Sequence, residues 1–303
     1  MTTPAVSVVV PTYNRASMIG ASVRSLLAQT GVDFEVVVVD DGSTDGTVAQ
    51  LAAMPDPRLR VITVPHGGVA AARNAGVAAT RARYVAFHDS DDEALPGRLA
   101  RPAAVLDSQP GVGLVIMNGM MLPFEPGGEA QPWIKPEVTQ TLVGHPIGAA
   151  EVFRRNLGQL QGMCFTRTAL ETAGPFDPAF RILDDLDLVL RVAARYPALF
   201  VDEPAFRYRQ HAGGLARDRA TIREEAIRIA DKLIGVHPEI LPVLGRVEFQ
   251  RRQARRYARL ARARLREGDP LGARVALREA RKLRPLNLRY RLETLWLRLR
   301  PRS

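Results

Sequence analysis

The chain has 303 residues, 46% hydrophobic and 24% charged, enough to bury a full core and to carry a further small domain. Its net charge of +10 is unevenly spread: from Arg246 onward 19 Lys and Arg stand against 5 Asp and Glu, a net +14, while the preceding part carries 23 against 27, a net −4. The acidic body is therefore no basic nucleic-acid platform, and the apolar runs Val6 to Val10 and Val36 to Val39 fall far short of the roughly 20 residues of a membrane-spanning helix. The single Cys164 excludes an intramolecular disulfide and fits a core position in a reducing compartment, and an N-terminus without a basic then apolar stretch points to a cytoplasmic product.

The first third alternates short β-branched runs with helical patterns, as in a mostly parallel sheet flanked by helices. Predicted strands are Val6 to Val10, Phe34 to Asp40, Leu59 to Val64, Tyr84 to His88 and Val112 to Met117. Met18 to Thr30 sets Ile19, Val23, Leu26 and Leu27 on one helical face, and Ala70 to Ala79 is an Ala-rich helix. From Met120 to Pro146 the pattern dissolves into Pro, Gly and mixed polar residues, read as a surface excursion. Order resumes at Met163 to Thr166, a helix near Asp185 to Arg195 and a strand around Phe206 to Gln210. Beyond Ala216 the chain reads as helix, with Tyr257 to Leu265, Gly268-Asp269-Pro270, Ala273 to Leu283 and Pro285 resembling one tetratricopeptide-type hairpin. The expected division is residues 1–216 for a catalytic domain and 217–303 for a basic helical extension.

In an open α/β sheet ligands bind beyond the carboxyl ends of the strands. Thr12 to Arg15, Asp40 to Thr44 and Asp89 to Asp92 each follow a strand and should converge there. Asp89, Asp91 and Asp92 repel one another unless a cation or a hydrogen-bonding ligand sits among them; a polar turn capping the next helix is the competing reading. Neither usual phosphate loop is present. In Asp40-Asp41-Gly42-Ser43-Thr44-Asp45-Gly46-Thr47 a capped turn accounts for Ser43 to Thr47, with Ser43 or Thr44 able to cap the next helix, but leaves the paired acids Asp40 and Asp41 over, so at least one is assigned to a ligand.

Pro11-Thr12-Tyr13-Asn14-Arg15, Asp40 to Thr47, Gly67-Gly68 through Ala72-Arg73-Asn74-Ala75-Gly76, Asp89-Ser90-Asp91-Asp92, and Asp184-Asp185-Leu186-Asp187-Leu188 with Arg191 follow in the order and spacing of a known family. The chain resembles the inverting glycosyltransferases of GT-A fold, carbohydrate-active family two, over roughly Val6 to His211. The resemblance implies a nucleotide-sugar pocket with Pro11, Tyr13 and Arg15, Asp41 reading the base and Arg73 near ribose or phosphate. It makes Asp89 and Asp91 the Asp-x-Asp pair holding Mg2+ or Mn2+ against the diphosphate, with His211 as a further candidate ligand. Asp185 is the implied general base, kept ionised by the helix N-terminus and anchored by Leu186, Leu188, Val189, Leu190 and Val192. The implied reaction moves a sugar, from a UDP donor by resemblance, to a glycan or lipid-linked acceptor. Gly162-Met163 falls where the family has a loop touching donor and acceptor. Asp184 stands where the family usually has Glu, and His88 replaces a usual apolar residue, either as a core residue or as a modifier of donor fit or pH dependence. A non-catalytic nucleotide-sugar-binding relative, and a protein binding membrane or nucleic acid through its tail, are the rival readings.

The last helix, Asn287 to Arg300, sets Leu288, Leu292, Leu295, Trp296 and Leu299 in one stripe among arginines. Such a stripe either lies on an anionic membrane surface or packs on the preceding helical pair with its arginines solvated.

Overall fold

The computed structural model describes residues 3–123, 129–209 and 218–299. The chain divides into two units, Met1–Gly213 and Gly214–Ser303. The first begins with β1 (Val6–Thr12), α1 (Ile19–Leu27), β2 (Phe34–Asp40), α2 (Thr47–Ala52), β3 (Leu59–Thr63), α3 (Val69–Ala78) and β4 (Tyr84–Phe87). Residues of β1, β2 and β4 are buried almost without a break, as strands covered on both faces must be. All four strands run parallel in the order β3-β2-β1-β4, with Thr12 level with Asp40 and Val9 with Phe87. That register brings the three acidic and polar segments to one edge.

The second half of this unit turns the sheet mixed. It contains β5 (Glu93–Ala94), α4 (Ala100–Ser108), β6 (Leu114–Met121), β7 (Gln131–Pro132), α5 (Pro136–Thr139) and α6 (Ala149–Arg155). After a single 3-10 turn, Leu160–Gly162, come β8 (Met163–Thr166), α7 (Arg167–Ala173), α8 (Asp184–Ala193) and β9 (Ala198–Tyr208). The sheet continues β4-β8-β6-β9-β5, with β7 on β6; β8 is antiparallel to both neighbours, while β9 runs parallel to β6 through two register shifts near Asn118. Antiparallel pairing of β5 with β9 sets Glu93 opposite Arg207, tying the acidic turn after β4 to the far half of the sheet.

Most described residues of the expected surface excursion are exposed, but it is anchored to the body: β6 runs on to Met121, and Ile134 and Leu142 are buried. Asn118 holds this stretch, its amide donating to Ile134 O (2.9 Å) and its carbonyl accepting from Ile134 N (2.9 Å). Ser43 and Thr44 do not cap α2, whose first N–H, that of Thr47, is accepted by Asp45 Oδ1 (2.9 Å); Ser43 Oγ accepts from Asn14 N (2.9 Å) and Asn14 Oδ1 from Thr44 N (2.8 Å), lacing two strand-end loops together.

The second unit comprises α9 (Arg219–Val236), α10 (Ile240–Leu244), α11 (Arg246–Arg266), α12 (Pro270–Leu283) and α13 (Leu288–Leu299). The sequence-predicted hairpin is α11 and α12: Asp269 caps α12 by accepting from Gly272 N (2.8 Å), with Pro270 in the first turn, where its missing N–H costs nothing. Ile227 of α9 joins Leu260, Ala261, Ala273, Ala276 and Leu277 in one buried cluster, so α9 supplies the third wall a lone hairpin lacks. No described helix is long and apolar enough to cross a membrane.

Helix α3 sits against the sheet at Gly76, where an added Cβ would lie 2.3 Å from Val9 Cγ1 and 3.1 Å from Val39 Cγ2. Gly76→Ala therefore overpacks a rigid contact, and a loss of about 1–3 kcal/mol in urea-unfolding stability is expected.

Candidate active site

Four segments meet at the carboxyl edge of β1, β2 and β4. Asp41, buried at the end of β2, accepts Gly67 N on Oδ1 (2.8 Å) and Gly68 N on Oδ2 (2.9 Å), so the turn before α3 is fastened to it. Tyr13 is 41% exposed, and its ring stacks on that of His66 at 4.3 Å. Pro11 is buried within β1, level with Val39. Arg15 reaches the acidic turn, with Nε 3.4 Å from Asp91 Oδ2.

Arg73 is held between two acids of the site. Its guanidinium is buried, gives Nη1 to both oxygens of Asp184 (2.9 and 2.8 Å), gives Nη2 to Asp89 Oδ1 (3.0 Å), and lies over the Phe176 ring. Burial works against the cation, but Asp184, Asp89 and Asp185 outweigh it and hold the guanidinium above its ordinary value. Asp184, itself 1% exposed, is thus the fixed partner of Arg73 rather than a helix cap.

The acidic turn follows β4 directly. Oxygens of Asp89, Asp91 and Asp92 lie within 4.8 Å of one another. Burial and neighbouring carboxylates raise Asp89 and lift Asp92 well above the usual carboxylate range. Asp92 does more than shape the turn: it is buried, its Oδ1 accepts Arg209 N (3.1 Å), and its Oδ2 accepts the Gln161 amide (3.1 Å). Gln161 also donates to Asp89 Oδ2, so one amide from the 3-10 turn spans two of the three acids. Sequence reasoning passed over Gln161; its one signal is a polar side chain between Leu160 and Gly162. The donor set fits a hard divalent cation: oxygen ligands only, closely grouped, with burial making their own negative charge costly. His211 lies outside the described residues.

Asp185 opens α8, anchored by buried Leu186, Leu188, Val189, Leu190 and Val192. The expectation of an ionised, low-pKa carboxylate is corrected. Burial first, and the adjacent Asp184 second, push Asp185 up to about 8, although Leu186 N donates to its Oδ1 (2.6 Å). The favourable end of a helix is outweighed by desolvation beside a fixed negative neighbour.

His88 resolves as a core residue: fully buried, with neither ring nitrogen hydrogen-bonded to a described residue, it is pushed down to about 3 by burial and the nearby Arg98. Arg98, equally buried, donates to Phe87 O (3.0 Å) and Met163 O (2.8 Å), clamping β4 to β8 just before the acidic turn. Burial alone brings this guanidinium down to about 10, and sequence reasoning gave no hint of it. Cys164 is buried, and burial pushes its thiol up to about 12, as suits an inert core residue.

An α/β sheet with a carboxylate cluster beyond its strand ends is the arrangement of GT-A transferases, and known proteins agree. The sequence matches the profile described as Glycosyl transferase family 2 over residues 7–146. Succinoglycan biosynthesis protein ExoO of Rhizobium meliloti (strain 1021) is 35% identical over 240 residues, covering 76% of this chain and 67% of that protein. The structure of S. aureus TarS 1-349 in complex with UDP-GlcNAc superposes with a TM-score of 0.62 at 18% identity, covering 96% of this chain and 88% of that one. The mannosyltransferase PcManGT of Pyrobaculum calidifontis, in complex with GDP-Man and Mn2+, superposes with a TM-score of 0.64 at 22% identity, covering 98% and 85%. The chain belongs to glycosyltransferase family 2 and is a glycosyltransferase of GT-A fold.

Replacing Arg73 by Leu strands Asp184 as an unpaired buried charge, so a stability loss of about 3–5 kcal/mol is expected by denaturant unfolding. A loss under 1 kcal/mol would contradict the bridge's structural weight.

Proposed function

We propose that this glycosyltransferase transfers a sugar with inversion from a nucleotide diphosphate donor, a UDP-sugar in first place, to a hydroxyl of a glycan or lipid-linked acceptor. The observation that carries the reading is the Asp184–Arg73–Asp89 bridge, which joins the helix bearing Asp185 to the acidic turn at the strand ends. Asp41 and Tyr13 are the base-reading residues, with Pro11 behind them. Asp91, assisted by Asp89, would hold Mg2+ or Mn2+, which when bound supplies positive charge against the diphosphate as the sugar leaves. Arg15, 3.4 Å from Asp91, adds a cation at the same spot. Gln161 and Arg73 fix both oxygens of Asp89, so it enters the reaction already oriented.

Asp185 takes the proton of the attacking hydroxyl at a carboxylate oxygen. Its raised value means that the free protein holds this carboxyl protonated at neutral pH, so the base becomes competent as pH climbs through about 8. A donor kcat/KM that rises with pH and levels off above about 8 is expected in a pH-rate profile, and a flat profile from pH 6 to 9 contradicts the assignment. Asp185→Asn should lower kcat roughly 10²- to 10⁴-fold while leaving UDP binding intact by calorimetry. In thermal-shift titrations with UDP and Mn2+, Asp91→Ala should lose the stabilisation seen in the parent chain. Equal stabilisation of the two removes Asp91 from the metal site.

The second unit supports a peripheral seat on the cytoplasmic membrane face. Among the described side chains of α13, Tyr290 joins Ala254, Ala258 and Ala280, whereas Leu288, Leu292 and Leu295, spaced i, i+4 and i+7, are 71%, 65% and 53% exposed. These three exposed leucines favour the lipid-facing reading over the one in which the stripe packs on the hairpin; the side chains of Trp296 and Leu299 lie outside the described residues. An exposed leucine stripe in a segment of net +14 suits an anionic lipid surface. The full chain should float with phosphatidylglycerol-rich vesicles and not with neutral ones, and the triple change Leu288→Ser, Leu292→Ser, Leu295→Ser should abolish flotation. Equal flotation of parent and variant refutes this seat.

A further inference from the structure

Strands β4 and β8 pair in a fixed register, Tyr84 with Thr166, Val85 with Phe165 and Ala86 with Cys164, and the pairing stops there. The next facing residues are Phe87 and Met163. Met163 N turns away to Leu160 O and closes the 3-10 turn, while Phe87 O is taken by Arg98 Nη2 (3.0 Å), which also meets Met163 O (2.8 Å). A side-chain nitrogen thus stands in where the backbone ladder parts, keeping both buried carbonyls satisfied as the two chains separate.

Carried two residues beyond that point, the same register sets Asp89 opposite Gln161. These two meet through their side chains, with Gln161 Nε2 donating to Asp89 Oδ2 and to Asp92 Oδ2 (3.1 Å). A ring closes: from Arg98 through Phe87 and His88 to Asp89, across to Gln161, and back through Gly162 and Met163. On its other side the turn has little slack, since a Cβ added at Gly162 would lie 2.5 Å from Met117 O. Arg98 is 0% exposed, and its Nε and Nη1 meet no hydrogen-bond partner among the described residues. A guanidinium buried with one nitrogen in use is a poor source of stability. What it supplies at this place is geometry.

We propose that Arg98 is a positioning residue for the metal-binding turn: by holding Phe87 O and Met163 O on one nitrogen, it sets the separation at which Gln161 meets Asp89 and Asp92, and with it the grouping of the acids toward a divalent cation. The inference rests on the reading of Asp91 and Asp89 as the residues that hold that cation.

Calorimetric titration of UDP into the full chain, once with saturating Mn2+ and once with EDTA, gives the gain in UDP affinity due to metal. In Arg98→Met this gain should fall roughly tenfold or more, while UDP affinity in EDTA stays at the parent's value. Gln161→Leu should lower the gain as well, and the double variant should fall no further than the more affected single one, because both changes break the same ring. A gain equal to the parent's in Arg98→Met, with only urea stability reduced, makes Arg98 a structural residue and overturns the proposal; so do additive losses in the double variant. If Arg98→Met does not fold, Arg98→Lys, which keeps the buried charge on a differently shaped donor, is read by the same criteria. Asp91→Ala separates the two layers. If that variant keeps the parent's gain, the metal assignment fails and takes Arg98 with it; if it loses the gain while the Arg98 variants keep it, the role of Arg98 alone fails.

Discussion

The site depends on a single buried cation. Arg73 projects from α3, which packs through Gly76 against β1, and it spends its two terminal nitrogens on one acid near it in sequence and one far from it. Asp184 lies 111 residues from it in sequence and Asp89 16 residues, so closing this bridge requires the nucleotide half and the later half of the sheet to be in place together. A carboxylate as buried as Asp184 is tolerable because both of its oxygens are met by one guanidinium nitrogen. Lysine could supply the charge but not the simultaneous reach to two carboxylates in one plane.

Around that bridge, negative charge is held at a cost. Asp89, Asp92 and Asp185 all have their protons held more tightly than usual, chiefly through burial, and each feels another carboxylate of the group. Gln161 eases the strain for Asp89 and Asp92 by offering an amide to both, yet it brings no charge, so the cluster keeps its appetite for a cation. This separates two roles within one acidic neighbourhood. Asp184 is neutralised permanently by Arg73, while Asp91, half-buried and close to Arg15, sits where an incoming ligand can change its surroundings.

Much of the nucleotide half was legible because its signals are local. The run Phe34 to Asp40 is a strand with the expected bounds, and Tyr13, Asp41, Asp89 and Asp91 gather at one edge because parallel strands in register leave no other place for the loops that follow them. What escaped depends on long-range packing. In β9 the stretch Val201-Asp202-Glu203-Pro204 reads as loop, and it is a strand only because it follows β6 through two register shifts. Helix α4 lacks a clear sequence signal because it carries Pro102, which falls in the first turn, where a missing N–H is harmless. No sequence signal foretells that Asp184 pairs with Arg73, and the raised Asp185 follows from burial first and from that same buried neighbour second.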